Sequence, residues 1–503
     1  MKTDILLVHP NASHKIYQDL SKDFSAIEPP IWAAMIAKYL SLKGVSVDIL
    51  DCEALRLDVD AAAEAIKTIN PKIVAIVVYG QQPSASTQNM VGAGLLMERI
   101  SGFCNVRVYI GAHPSSLPRR TLLDDPGSFV CQGEGPKTLE QLNKVTDFSD
   151  DNQLSKVPGL WYYNSQNRIT NNPQATLIVD LDREMPEMAW DLLPLNSYRT
   201  ANWHSWTNNN NKEPFASLYT SLGCPFKCSF CMINSPFNDG DTKNNIFRHW
   251  SPQHIIKTFD KFADLGFTNI KIADEMFVYK PSHFLELCKL IIERGYKFNI
   301  WAYARIDTIK DSYLDTLKQA GVNWLGLGIE SANQQVRQEV TKGKFQEINI
   351  RDIVSKISDH GINSGGNFIF GLPKDNYDSM NETLNLALDL KTEYVNFYSA
   401  MAYPGSQLHR DFSEKNPEVL PENNGVGWIG YSQHAYETFN LPTENLKNHE
   451  ILKFRDEAFL KYFTNKDYLL KMTKKFGTPF TQEMEKMLSI KLKRKILKLL
   501  IFQ

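Results

Sequence analysis

"SLGCPFKCSFCMIN", residues 221–234, places Cys224, Cys228 and Cys231 within eight positions of one another. The spacing is C-x3-C-x2-C. Structural zinc takes four ligands, usually as two pairs from separate turns, and closes its site to solvent. No CxxC or HxxxH partner to this triplet occurs elsewhere in the chain. Cubane iron–sulfur clusters are normally held by four thiolates. Three thiolates from one short loop would hold a [4Fe-4S] cube by three irons and leave the fourth open. An open iron is a place for a substrate or cofactor to coordinate.

The sequence around that loop alternates short apolar runs with helical stretches. Strands are expected near 215–221, 268–273, 298–303, 323–328, 364–370 and 393–398. Helices are expected near 252–265, 281–294, 310–320, 346–360 and 376–390. Six β/α units predict a partial TIM-type barrel, whose functional residues gather at the carboxyl ends of its strands. The cysteine loop follows the first strand and so belongs to that rim. Other strand ends carry Asp274 and Glu275 in "KIADEMF", Arg305 in "WAYARID", and Glu330 and Ser331 in "GLGIESAN". "GGNFIFGLP" (365–373) and "MAYPGSQLH" (401–409) complete the rim. A guanidinium such as that of Arg305 grips carboxylates bidentately.

The C-x3-C-x-aromatic-C pattern, with Phe230 before its last cysteine, resembles the signature of the radical S-adenosylmethionine (SAM) enzymes. The resemblance implies a [4Fe-4S] cluster on Cys224, Cys228 and Cys231, with SAM as the missing fourth ligand. It implies reductive cleavage of SAM to methionine and a 5'-deoxyadenosyl radical, fed by an electron donor such as flavodoxin or ferredoxin. Asp274 and Glu275 match the place where that family contacts the SAM amino group, without the glycine pair of the common GGE form. Glu330 and Ser331 match its segment for the SAM ribose or amino group. Gly366, Gly371 and Pro373 fall in a stretch resembling the one that lies along adenine, where glycine lets backbone approach a flat ring.

Ahead of the barrel, strands are expected at 4–10, 45–51, 72–80, 106–113 and 128–135, with a helix over 29–44. The alternation predicts a doubly wound parallel sheet, which binds ligands beyond the carboxyl ends of its strands. No GxGxxG follows the first strand. The runs "PPIWAAMIAKYL", "GAHPSSLP" and "GEGPKTLEQL" resemble instead the cobalamin-binding domain fused to many radical SAM enzymes. That resemblance implies a corrin on the strand ends, with Asn11, Gln81, Gly111, His113, Gly133 and Glu134 as candidate contacts. The DxHxxG motif of other B12 proteins is absent, so the lower axial ligand of cobalt stays open. His9, His14 and His113 are read as hydrogen-bonding or solvent-facing residues, and Cys52, Cys104 and Cys131 as small core residues. A Rossmann-like domain that binds no corrin is the alternative.

The expected organisation is α/β throughout: a cobalamin-binding Rossmann-like domain (1–145), a connector (146–213), the radical SAM partial barrel (214–410) and a small, mostly helical C-terminal region (411–503). In the connector, "LWYYNSQNRIT" is expected to form a hairpin, and "TANWHSWTNNNNKE" (200–213) an exposed loop near the barrel entrance. Tyr403, Trp428, Tyr431 and His434 are candidate substrate contacts. The basic, amphipathic end "SIKLKRKILKLLIFQ" is expected to dock or fray, with peripheral membrane contact as the alternative.

Among 503 residues, 43% are hydrophobic and 22% charged, as in ordinary globular proteins, and the net charge of −2 argues against a general nucleic-acid binder. Seven cysteines, three of them in the loop, do not read as a disulfide framework. A reducing cytoplasm is the expected setting. "MKTDILLVHPN" is too short and too quickly polar for a signal peptide, and no 18-residue apolar run could span a membrane. The function expected from the resemblance is a cobalamin-dependent radical SAM methyltransferase acting on an unactivated carbon of a small-molecule or lipid-type substrate. A non-methylating relative of cyclase type, or a corrin- or SAM-binding regulatory protein without turnover, are the alternatives.

Overall fold

The structure is a computed structural model that describes residues 2–80, 83–237, 247–340 and 348–498. Its first sheet begins with β1 (Ile5–His9), β2 (Val47–Asp51), β3 (Ile73–Val77), β4 (Arg107–Ile110) and β5 (Phe129–Cys131), all parallel. The sequences ILLVH and IVAIV bury every residue because helices cover both faces. Strand alternation divides them between two cores. Ile5, Leu7, Ala75 and Val77 meet the helix Ile31–Leu42, whereas Leu6, Val8, Val74 and Ile76 join Met97 and Ile100 of the helix Pro83–Ile100.

The strand order is β2-β1-β3-β4-β5-β6-β7. The expected hairpin is β6 (Leu160–Tyr163) and β7 (Ile169–Asn171). It extends this sheet, with β6 antiparallel to β5.

The barrel opens with β8 (Phe215–Leu218), which is shorter than the apolar run suggested. The next residues, β9 (Ser221–Leu222), leave the sheet and pair antiparallel with β10 (Arg248–His249). Then come β11 (Asn269–Ile272), β12 (Asn299–Arg305), β13 (Val322–Glu330), β14 (Asn363–Phe370) and β15 (Tyr394–Ser399). They form one parallel sheet in the order β15-β14-β13-β12-β11-β8. β8 and β15 do not pair, so the barrel stays open along one side.

The stretch 200–213 corrects one expectation. Instead of lying exposed at the entrance, it caps the amino-terminal end of the barrel. Trp203 packs edge-on against Trp301 and Trp324, and His204 is fully buried between Thr200 and the carbonyl of Asn299. Three helices, Asn448–Phe463, Lys466–Phe476 and Thr478–Ser489, cover the outer edge of the sheet. Arg455 donates to the Phe397 carbonyl and Tyr468 to that of Glu393, so edge carbonyls of β15 and the residue before it are satisfied. The C-terminal segment docks through Arg494 and into the next turn, where the Lys495 amide donates to the Tyr436 carbonyl. The buried Arg494 guanidinium holds Asp456, Thr438 and the carbonyls of Gln433 and Ala435. The last five residues lie outside the described ones. Among the described residues no helix is long and apolar enough to cross a membrane.

Candidate active site

The cysteine loop is held at several points. The Asn234 side chain accepts from the Cys224 amide and donates to its carbonyl, each at 3.0 Å. Ser229 donates to the Val340 carbonyl at 2.8 Å and accepts from the Leu408 amide at 2.9 Å. Asp274, expected to touch SAM, serves the base of the loop instead. Fully buried, it accepts hydrogen bonds from the Thr220 amide and hydroxyl and from the Ser221 hydroxyl.

All three cysteines line one cavity of about 270 Å3 with Phe230, Glu275, Arg305 and Glu330. Burial pushes the Cys228 thiol up to about 11 and Cys224 up to about 12, and drives Cys231 well above its usual value. Thiolates here therefore need positive charge beside them, which a bound metal supplies. Among the described residues no three His, Cys, Asp or Glu side chains converge closely enough to hold a single metal ion. Thiolates that each ligate a different corner of a cube need not converge, so the donor set fits an iron–sulfur cluster.

Two carboxyls face the same space. Burial, reinforced by Asp274, pushes Glu275 up to about 8, and burial pushes Glu330 up to about 7 against the pull of Arg305. Glu330 has a left-handed backbone, φ +64°, where the pairing of β13 with β14 slips by one residue. A non-glycine residue in that region is uncommon, and such outliers cluster at functional sites. Arg305 forms a bidentate pair with Asp307, both bonds 2.6 Å, and its guanidinium sits 3.5 Å from the ring centre of Phe226.

The other expected SAM contacts do not reach this cavity. Ser331 is buried on Thr383 and caps Asn333. Gly366 packs close to Phe368, Gly371 packs against Ile451, and Pro373 is half-buried outside the lining. The rows that do line it are inward-facing strand residues two apart: Tyr303 and Arg305, Gly326, Gly328 and Glu330, Asn367 and Ile369. Counting back by two from each rim residue would have found Tyr303 and Gly328. Gly326 is glycine for a steric reason, since a Cβ there would stand 2.8 Å from the Tyr303 ring.

A second cavity, about 290 Å3, lies where the first sheet meets the open side of the barrel. His9, Val77, Tyr79 and Gly80 from the ends of β1 and β3 face Tyr219, Trp301, Tyr303, Asn396 and Tyr398 of the barrel. Trp32 stacks on Tyr79 at 4.4 Å. Burial works against charge on His9, but Glu53, 3.4 Å away, and Asp51 outweigh it and raise the imidazole above its usual value. A flat aromatic face with the hydroxyl and amides of Ser84, Gln88 and Asn89 beside it suits a flat macrocycle rimmed by amides.

Five of the six residues expected at a corrin are placed differently. Gln81 lies outside the described residues. Asn11 turns inward to Leu57 and Ser13. Gly111 is pressed against Val78, and His113 is fully buried on Thr87 and Trp428, its imidazole driven down to about 3 by burial. Gly133 accepts from Tyr79, and Glu134 forms a buried pair with Arg248 at 2.7 Å while accepting from the Ile178 amide. The physical reason is topological. In the order 2-1-3-4-5 the chain reverses direction between β1 and β3, and the crevice opens there. The ends of β4 and β5 are instead covered by the barrel.

Of the candidate substrate contacts, Tyr403 and His434 line cavities, whereas Tyr431 is bonded to Glu422 and Trp428 sits on His113. The two cavities share Ser84, Tyr303, Tyr398, Tyr403 and Gln433. Gln433 earned no mention from the sequence. Its amide reproduces a strand pairing with Ser399, accepting from the backbone amide and donating to the carbonyl, and no local motif signals that.

Comparison with known proteins followed the same division. The profile of the Radical SAM superfamily matches residues 218–387, and that of the B12 binding domain matches residues 19–143. An uncharacterized methyltransferase of Pyrococcus horikoshii is 26% identical over 453 residues, covering 88% of this chain and 89% of that protein. The anaerobic magnesium-protoporphyrin IX monomethyl ester cyclase of Rubrivivax gelatinosus is 24% identical over 498 residues, covering 96% and 80%. Among solved structures, the radical S-adenosylmethionine methyltransferase TsrM from Kitasatospora setae, with cobalamin and a [4Fe-4S] cluster bound, superposes with a TM-score of 0.63. That match is 18% identical and covers 82% of this chain and 75% of the other.

Proposed function

The chain belongs to the radical SAM superfamily and carries a B12-binding domain, and we propose from that premise that it is a cobalamin-dependent radical SAM methyltransferase acting on an unactivated carbon. The observation that carries the reading is the shared wall. Ser84, Tyr303, Tyr398, Tyr403 and Gln433 border both the cysteine cavity and the cavity at the sheet ends. Two groups held in those cavities would face one reaction space.

Cys224, Cys228 and Cys231 would hold the cluster, and their loop is fixed by Asn234 and Asp274. Glu275 and Glu330, kept partly protonated by burial, receive the ammonium of SAM and give up their protons as it binds. Arg305, locked on Asp307, keeps a fixed positive charge beside the thiolates. Tyr79 and Trp32 present a flat wall to the corrin. When bound, SAM on the cluster would supply the 5'-deoxyadenosyl radical and the corrin the transferable methyl group; the protein orients them and excludes water. A one-electron donor such as flavodoxin or ferredoxin would reduce the bound cluster, and the cytoplasm is the compartment that suits it.

The test is anaerobic purification, reconstitution with iron, sulfide and hydroxocobalamin, and measurement of iron and cobalt per chain. About four irons and one retained cobalt are expected. Iron without cobalt would remove the methyl-transfer proposal. A second reading, a non-methylating cyclase type, draws on the near full-length match to the Rubrivivax cyclase. In that case reduction would yield 5'-deoxyadenosine without S-adenosylhomocysteine.

A further inference from the structure

Behind the sheet-end cavity lies a third hollow of about 510 Å3, larger than either of the other two. Its walls are dominated by Phe24, Trp206, Phe459, Met484, Met487 and Leu488. Several polar groups in its wall are already committed to partners, whereas the Asn202 Oδ1 is buried without a hydrogen-bond partner and Lys491 stands exposed. Arg455 donates to Asp456 and to the Phe397 carbonyl, Asp456 also holds Arg494, and Trp206 donates to Glu483. What remains for a ligand is mainly apolar surface, whose burial favours an apolar guest.

The hollow joins the reaction space. Tyr17, Ser25, Trp203, Asn396 and His434 line both it and the sheet-end cavity, forming a neck between them. At its other end Leu460, half exposed, and Lys491, also exposed, mark a mouth at the surface. Met484 and Met487 add adaptable, polarisable contacts suited to a flexible chain.

We infer that this chamber holds the hydrocarbon chain of the substrate, which is therefore an amphiphile with its reacting carbon at the shared wall and its tail passed through the neck. The inference rests on the reading of the other two cavities as the reaction space. It deepens that reading by fixing the substrate class.

The test uses the reconstituted full chain and the fluorescent probe 11-(dansylamino)undecanoate, displaced by straight-chain alcohols of increasing length. One saturable site is expected, with displacement improving about fourfold per methylene until the chamber is filled. Leu488→Trp, which fills the chamber from a half-buried position, should shorten the best alcohol and weaken the probe at least about tenfold. Phe459→Ala should move the optimum to longer chains, a shift in the opposite direction that mere loss of folding cannot produce. Iron content should stay at its unmodified level in both variants, which shows that both still fold and load the cluster.

Absence of saturable probe binding, or affinity independent of chain length, would overturn the inference. So would one-for-one loss of probe on loading hydroxocobalamin, which would give the chamber to the corrin's own side chains. Probe binding that appears only after truncation beyond Lys498 would give it to the chain's last residues, and would also overturn it. Failure of SAM cleavage with probe binding intact would remove the functional reading and leave the chamber standing.

Discussion

The cysteine cavity and the sheet-end cavity were announced by the sequence in very different ways. The first is built around three residues whose spacing already states a chemistry. The second is built by chain reversal between β1 and β3, and the residues promising by composition at the ends of β4 and β5 are spent elsewhere: Glu134 on an ion pair with Arg248 of the barrel, Gly133 on Tyr79, and His113 on Thr87 and Trp428. A local motif fixes what is bound; topology fixes where an open crevice can exist. Glu134 and His113 show the cost of reading the second kind of site by the rules of the first.

The largest test of that contrast is Cys231→Ala. SAM cleavage should vanish and iron content fall, measured as 5'-deoxyadenosine under reduction, while cobalt stays bound. Loss of cobalt in the same variant would mean that the two cavities are not separately assembled. Next comes Arg248→Met, which strands Glu134 as a buried unpaired charge and should cost about 3–5 kcal/mol in thermal unfolding. The double variant Arg248→Met/Glu134→Leu should recover most of that loss and keep its cobalt. If the double variant is stable but has lost cobalt, Glu134 belongs to the corrin site after all.

Glu275→Gln should weaken SAM binding by roughly ten- to hundredfold through loss of a charge-assisted hydrogen bond, read by calorimetry on iron-reconstituted protein. The last expected effect is on pH. With Glu275 up to about 8 and Glu330 to about 7, the empty site is largely protonated at pH 6. Binding of an ammonium then requires these protons to leave. SAM affinity should therefore rise roughly sixtyfold from pH 6.5 to 8, with proton release that depends on buffer ionisation. A flat profile would show that both carboxyls are already charged in the free enzyme.

Much of the fold was legible because strand burial and helix periodicity are local. The six barrel strands and five barrel helices follow from apolar runs bounded by proline, glycine and capping residues such as Ser251 and Asn376. β8 ended early because Ser221 and Leu222 pair with a strand 27 residues onward, which no local pattern announces. The Trp203–His204 stretch reads as a polar loop since asparagines follow it, yet its aromatic rings fill the barrel end. At the site, Glu275, Arg305 and Glu330 were found as strand-end residues. Tyr398, Tyr403 and Gln433 were not singled out as a common wall, because they converge only after the C-terminal loop folds back over β15.

Five side chains that border two cavities also set a condition on descent. A change at Tyr303, Tyr398, Tyr403, Gln433 or Ser84 alters the surroundings of both chemistries in one step. Lineages that acquire new substrates should hold these positions still, or exchange them as a group, and do their exploring at the neck and the chamber beyond it.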